Sequence, residues 1–85
     1  MKTIHKYPLE VADEQDVTMP VGAVILTVQV QNNQPCLWAL VEPDNPTQIR
    51  TILMHGTGNP GECFWRYIAT IQLHGGKLVF HVFEG

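Results

Sequence analysis

Three aromatic residues and an arginine that follow a glycine-rich loop have the clearest potential for ligand recognition in this sequence. The segment Phe64-Trp65-Arg66-Tyr67 follows residues 56–62, which contain three glycines and one proline, with only Cys63 between them. Nucleotides are recognised by an aromatic face that stacks on the base and by forked donors that hold the phosphate. The sequence therefore predicts ligand-binding residues at Arg50, His55, Thr57, Trp65, Arg66 and Tyr67.

The residue sets that catalysis needs are missing. The chain contains no serine, so a serine triad is excluded, and we expect Cys36 and Cys63 to be unreactive thiols. No two carboxylates have a separation that the sequence defines, as glycosidase chemistry requires. The glycine-rich loop lacks both GxGxxG spacing and a Walker lysine, although its bare amides could still hold an anion. We therefore predict that the protein is not an enzyme.

Four histidines and two cysteines raise the question of a metal site, but no short-range ligand pair such as CxxC or HxxxH occurs. His74 and His81 share a strand face in the predicted hairpin, at a separation of about 13–14 Å that is too long for one ion. An approach of His55 to Cys63 across the glycine loop stays open. We predict neither a metal nor a cofactor.

Composition excludes several partner classes. The chain has 85 residues, a net charge of −3 and only five lysines and arginines, so direct DNA binding is not expected. A small anion needs only one or two cations and is not excluded. No apolar run approaches the length of a membrane helix, and Met1-Lys2-Thr3 leads directly into a mixed polar segment. Two cysteines do not form a disulfide framework. We therefore expect a cytoplasmic protein without a membrane partner.

The candidate site must be positioned by strands, because no segment has a convincing helical pattern. Gly75-Gly76 predicts a tight hairpin turn within residues 67–84. The turn sets the register, with one apolar face and one half-apolar face. The predicted pairs on the apolar face are Leu73 with Leu78, Ile71 with Phe80 and Ala69 with Val82, and the second face pairs Thr70 with His81 and Ile68 with Phe83.

A second hairpin is predicted over residues 23–41. A three-residue loop would pair Val28 with Trp38 and keep the apolar faces consistent, so it is the favoured register. A two-residue Asn32-Asn33 turn is the alternative, and it would set Thr27 opposite Trp38. In the strand at residues 48–55, the inward set is expected to be Ile49, Thr51 and Leu53, because the other set would bury Arg50.

These elements predict an all-β fold, with residues 1–85 forming a single β domain. The architecture is a small antiparallel β-barrel or β-sandwich of five to six strands. Both hairpins carry apolar residues on their second faces, which favours a homo-oligomer. The predicted interface residues are Ile68, Val79, His81 and Phe83.

Five stretches carry a family resemblance: Lys6-Tyr7-Pro8-Leu9, VQVQNNQPCLWALV at residues 28–41, Arg50-Thr51-Ile52, Gly56-Thr57-Gly58, and YIATIQLHGGKLVFHVFE at residues 67–84. Through them the chain resembles a family of small uncharacterised proteins encoded by phages and prophages. The resemblance covers nearly the whole chain. It implies a phage accessory factor, because short phage proteins without a catalytic signature often bind a host component or a host defence signal.

We therefore expect a non-enzymatic, phage-type accessory binding protein in the cytoplasm of the infected or lysogenic host cell. As an anti-defence factor it would sequester a nucleotide signal in a pocket between subunits, or it would block a host protein with the half-apolar sheet face. The alternative is a structural or assembly protein of the virion that forms homo-oligomers.

Overall fold

A computed structural model describes residues 1–61 and 66–85, and these residues form seven β-strands and no helix. The prediction of five to six strands was too low, and the acidic residues Glu14–Asp16 are part of a full strand. Pairing with a long neighbouring strand outweighs the acidic character of this segment, and Thr51 Oγ1 donates a 3.0 Å hydrogen bond to Asp16 Oδ1. The strands are β1 (Thr3–Pro8), β2 (Glu14–Pro20), β3 (Val24–Gln31), β4 (Gln34–Val41), β5 (Thr47–Gly56), β6 (Arg66–Leu73) and β7 (Leu78–Glu84).

The strands form two antiparallel sheets that face each other as a sandwich. The three-stranded sheet has the order β1-β4-β3, and the four-stranded sheet has the order β2-β5-β7-β6. The sheets do not close into a barrel, so the sandwich is the alternative that forms. The core between them is apolar, and its fully buried side chains come from both sheets; the largest are Leu9, Met19, Val28, Leu37, Val41, Ile52 and Val82.

The β6–β7 hairpin confirms the predicted register over most of its length. Leu73 pairs with Leu78, and the pairing continues in step to Ala69 opposite Val82. Gly75 and Gly76 have φ angles of 67° and 90°, as the Gly-Gly turn requires. Beyond Ala69 a β-bulge changes the pairing, so Tyr67 and not Ile68 lies opposite Phe83. The bulge leaves Ile68 half-buried against the core.

The favoured register of the β3–β4 hairpin was wrong, and the two-residue turn forms instead. Asn32 and Asn33 have φ angles of 52° and 60°, which asparagine tolerates better than most residues. Thr27 consequently lies opposite Trp38. A β-bulge at Leu26 resolves the conflict between the apolar faces, because it shifts the pairing between Ile25 and Thr27 by one residue.

The expected inward set of β5 was also wrong. Ile52 and Met54 are buried, whereas Ile49 is 65% exposed. Arg50 shares the inward parity of Ile52 and Met54, and its side chain is 16% exposed. This arrangement was not expected because it buries the charge of Arg50. In the structure the carboxylate of Glu84 lies against the guanidinium and compensates that charge.

The tips of the two hairpins are joined by the side chain of Asn33. Its Oδ1 accepts a 2.9 Å hydrogen bond from the backbone N–H of His74, and its Nδ2 lies 3.2 Å from His74 Nδ1. A backbone N–H can only donate, so the orientation of the amide is determined. The side-chain nitrogen of Asn33 therefore donates to His74 Nδ1, and the neutral ring carries its proton on Nε2.

No helix of membrane-spanning length and hydropathy occurs in residues 1–61 and 66–85.

Candidate functional site

A cleft opens where the free edge of the three-stranded sheet approaches the free edge of the four-stranded sheet. β3 and β6 are edge strands of different sheets, and they lie against each other. We call this space the β3–β6 cleft; its volume is about 210 Å³. It is lined by Ala23, Val24, Ile25 and Leu26 from the start of β3, by Arg66, Tyr67 and Ile68 from the start of β6, and by Arg50 and Glu84.

The two β-bulges of the molecule's described strands both border this cleft. The bulge in β3 falls at Leu26, and the bulge in β6 falls at Ile68. A bulge bends its strand and increases the local twist, and bulges are enriched at sheet edges next to functional sites. Here each bulge also redirects a side chain relative to strict alternation. The cleft is thus a product of irregularities in two edge strands that face each other.

An ion pair on the inward side of the four-stranded sheet forms one wall of the cleft. Arg50 Nε donates to Glu84 Oε2, and Arg50 Nη2 donates to Glu84 Oε1 over 3.0 Å. Arg50 Nη1 donates to the backbone carbonyl of Ala23 over 2.8 Å. One guanidinium therefore ties together β5, the end of β7 and the residue that precedes β3. Its bidentate geometry is the strong form of a carboxylate contact.

Arg66 and Tyr67 differ from this pair because they are exposed at the rim of the cleft. Tyr67 is 57% exposed, and its ring packs edge-on against Phe83 with centroids 5.7 Å apart. Arg66 lies opposite Glu84 in the β6–β7 register. Within the described part of the chain no carboxylate lies within ion-pair distance of the Arg66 guanidinium. The described residues that line the cleft consequently carry one positive charge in excess.

Other predicted ligand and interface residues gather on the outward face of the four-stranded sheet. His55 lies opposite His81 across β5 and β7, and Phe83 lies opposite Leu53 and Tyr67. The His55 and Phe83 rings are in an edge-to-face arrangement with centroids 6.0 Å apart. This face is half-buried and aromatic, and it is separate from the walls of the cleft that Arg50 and Glu84 form.

His81 is the centre of a chain of hydrogen bonds on that outward face. Its Nε2 lies 2.8 Å from Thr57 Oγ1 and its Nδ1 lies 3.0 Å from Thr70 Oγ1. The Thr70 hydroxyl in turn lies 2.8 Å from the Tyr67 hydroxyl. Hydroxyls both donate and accept, so the chain can be satisfied with either ring tautomer. It connects the loop after β5 with the tyrosine at the rim of the cleft.

Thr57 and Val79 border a second, more open groove. Its volume is about 470 Å³, and it is also lined by Gly56, Asn59, Lys77, Leu78 and Phe80. The loop after β5 is held there by a hydrogen bond from the Thr57 N–H to the Val79 carbonyl, 3.4 Å long, and by one from the Asn59 N–H to the Gly56 carbonyl, 3.1 Å long.

The structure thus divides the predicted ligand set into two groups. Arg50, Arg66 and Tyr67 meet at the β3–β6 cleft together with Ile68, which was predicted at an interface. His55 and Thr57 lie with Val79, His81 and Phe83 on and beside the outward face. Trp65 lies outside the described residues, as does Cys63. No cluster of three or more metal-ligating side chains occurs among the residues that are described.

Sequence reasoning missed Glu84 and the contribution of β3 to the site. The signal for Glu84 was available, because an arginine of inward parity requires a carboxylate partner and Glu84 ends a strand of the same sheet. The contribution of Val24 and Leu26 was not visible, since it depends on a bulge that strict alternation does not predict.

The family of the chain follows from a comparison over its full length. The model of a domain of unknown function, DUF7352, matches residues 1–85. No curated protein and no solved structure matches the chain. The predicted membership of an uncharacterised family is confirmed: the chain belongs to the DUF7352 family.

Proposed function

We propose that the protein is a non-enzymatic binding protein that holds a small anionic ligand with a planar ring, of the nucleotide class, at the β3–β6 cleft. The observation that carries this proposal is the charge of Arg66 at the cleft, next to the exposed Tyr67, which lines the rim and whose ring packs against Phe83 toward the outward face. The guanidinium has no carboxylate partner among the described residues, and the adjacent ring is 57% exposed. These are the two groups that nucleotide recognition requires, a forked cation and an aromatic face.

Arg50 is ion-paired and Arg66 is not, and this difference supports Arg66 as the anion-binding residue. Each of the three guanidinium nitrogens of Arg50 already donates one hydrogen bond, two of them to Glu84 and one to the Ala23 carbonyl. Arg50 and Glu84 also neutralise each other. Arg66 therefore supplies the excess positive charge, and Arg50 acts as a positioning residue that holds the start of β3 in place.

The biological setting of the proposal is the one that the sequence resemblance implies. A phage accessory factor that acts against host defence would bind a nucleotide signal in the cytoplasm of the infected or lysogenic cell. The loop after β5 would then respond to the ligand through the hydrogen-bond chain from Thr57 to Tyr67. Sequestration needs no catalytic group, in agreement with the absence of serine from the chain.

Thermal unfolding in the presence of mononucleotides, dinucleotides and cyclic nucleotides tests this proposal. A ligand present at about 100 times its Kd stabilises the folded state by about 2.7 kcal/mol. In a domain of this size that corresponds to a rise in Tm of roughly 10–20 °C. Arg66→Gln should reduce the affinity at least tenfold. The charge-matched control is Lys77→Gln, which removes an exposed cation outside the cleft and should leave the shift unchanged.

Two results would contradict the proposal. One is the absence of a shift with every nucleotide tested. The other is an equal shift in wild type and in Arg66→Gln, because the anion would then be held elsewhere.

The outward face of the four-stranded sheet supports a second candidate function, which is the blocking of a host protein. Tyr67, Phe83 and His55 form a row of edge-to-face rings there, and aromatic residues are enriched at the centres of protein interfaces. Thr70 is exposed on this face. Thr70→Arg should abolish binding of such a partner, whereas Arg66→Gln should leave that binding unchanged and weaken only the nucleotide-dependent shift.

A further inference from the structure

An uncovered apolar surface lies on the outward face of the three-stranded sheet. Ile4 pairs with Leu40, and Leu40 pairs with Val24, so the three side chains form one row across β1, β4 and β3. Ile4 is 57% exposed and Val24 is 54% exposed. The bulge residue Leu26, which is 48% exposed, extends this row along β3. We call these four residues the apolar patch.

The other half of the same sheet face is covered by the protein itself. Lys6 on β1 reaches across β4 and donates a 2.8 Å hydrogen bond from Nζ to Gln31 Oε1 on β3. Cys36 of β4 has outward parity in this region and is nevertheless 2% exposed. The apolar patch therefore begins where the Lys6 side chain no longer covers the sheet. Its residues are contiguous, unlike apolar residues that are scattered singly over a surface.

The apolar patch continues into the β3–β6 cleft. Val24 and Leu26 belong to both, because they line the cleft as well as the outward face. The cleft has a volume of about 210 Å³. Pockets that enclose small molecules usually have volumes of about 300–1,000 Å³. One copy of the chain can therefore hold a ring or a phosphate group of a nucleotide, but it leaves the rest of the ligand uncovered.

We infer that a second copy of this chain docks on the apolar patch and completes the ligand cleft. The inference rests on the proposed function for the role of the cleft, whereas the dimer stands on the patch itself. In a two-fold dimer the same patch meets itself, so an uncharged apolar row is self-complementary. The site would then lie between two subunits, with the patch of the partner copy as its roof.

The net charge of −3 on each chain does not oppose the docking of a second copy, because the acidic residues lie away from the patch or are paired. The cluster of carboxylates at Glu10, Asp13, Glu14 and Asp16 follows the far end of β1, whereas Ile4 lies near its beginning. Glu42 directly follows Val41, which pairs with Thr3 beside Ile4, and the N-terminal ammonium of Met1 lies 3.0 Å from the Glu42 carboxylate. Two patches can therefore meet without bringing the acidic cluster of one copy against that of the other.

The test is the oligomeric state of two matched variants, measured by native mass spectrometry and by light scattering over a concentration range. Ile4→Glu introduces a charge into the patch without altering a residue of the cleft, and it should raise the dimer dissociation constant at least 100-fold. Ile49→Glu is the control, because Ile49 is 65% exposed but lies on the other sheet. Val24→Lys, on a different strand and of opposite charge, should behave like Ile4→Glu and guards against misfolding of one variant.

The outcomes separate this inference from the proposed function. A monomeric wild type at 100 μM, or an Ile4→Glu variant that dimerises like wild type, overturns the inference. An assembly larger than a dimer that survives both patch substitutions overturns it too. If Ile4→Glu is monomeric but binds nucleotides like wild type, the second copy does not complete the site. A wild-type dimer that binds no nucleotide would instead overturn the proposed function and leave the dimer standing.

Discussion

Arg50 and Glu84 form a bidentate ion pair on the inward side of the four-stranded sheet, with side-chain exposures of 16% and 12%. The pair joins the middle of β5 to the last residue of β7. Arg50 also bonds the carbonyl of Ala23, which brings the start of β3 to the same point. The Arg50 side chain therefore connects the start of β3 to two strands of the four-stranded sheet.

Removal of one partner of this ion pair should destabilise the fold. Glu84→Gln keeps the size of the side chain but leaves the half-buried guanidinium without its counter-charge, which should lower the free energy of unfolding by about 2–3 kcal/mol. Glu42→Gln is the matched control, because the ion pair of Glu42 with the N-terminus is solvent-exposed and should contribute less than about 0.5 kcal/mol. Urea unfolding of both variants measures the difference. Equal losses would show that the Arg50–Glu84 pair has no special structural role.

The contact between the hairpin tips predicts a different pattern at neighbouring asparagines. Asn33→Gly preserves the positive φ but removes the hydrogen bonds to His74, so it should lower the free energy of unfolding by about 1 kcal/mol. Asn33→Ala adds the strain of a left-handed conformation and should lose about 1 kcal/mol more.

Asn32→Gly is the control for this series. Asn32 has a φ of 52°, and its side chain makes no hydrogen bond to the described residues. The substitution should change stability by less than about 0.5 kcal/mol, as measured by denaturant unfolding. A loss at Asn32 as large as that at Asn33 would mean that the turn conformation and not the contact with His74 matters.

Local sequence signals predicted the pairing of β6 with β7 over most of its length but not the turn between β3 and β4. The Gly75-Gly76 signal placed Leu73 opposite Leu78 and carried the register to Ala69, because a tight turn leaves few alternatives. The signal failed where a bulge intervened. At Leu26 and at Ile68 the chain departs from strict alternation, and the reasons are tertiary, since each bulge lies on an edge strand beside the other sheet.

In the candidate site, too, features set by residue type were predicted and features set by tertiary contacts were not. Arg66 and Tyr67 were predicted from their residue types, and they lie at the cleft. The inward position of Arg50 was rejected because the sequence did not reveal that Glu84 would face it. The preferred three-residue turn between β3 and β4 does not form, again because the sequence did not reveal a tertiary feature, here the bulge at Leu26. The three-residue turn was preferred because it kept the apolar side chains of β3 on one face. With the shorter Asn32-Asn33 turn, the bulge at Leu26 has the same effect.

Tyr7 should ionise at a higher pH than an ordinary tyrosine. Burial of the phenol against the core raises the pKa of Tyr7 above the usual 10.0. The neutral form is thus favoured in the folded state, so stability is unaffected below pH 10 and falls as the pH rises through the raised pKa. The chain has two tyrosines, so absorbance at 295 nm in Tyr67→Phe follows Tyr7 alone. A midpoint at or below 10 would contradict the burial of this ring.

The location of the binding site is the central claim, and backbone amide chemical-shift mapping by NMR tests it most directly. Nucleotides from the thermal-unfolding panel serve as the probes, with wild type compared with Arg66→Gln. We predict that the largest shift changes on titration fall at Val24, Leu26, Ile68 and Glu84, and that Arg66→Gln abolishes them. Changes confined to His55 and His81 on the outward face, or no changes at all, would contradict a ligand site at the β3–β6 cleft.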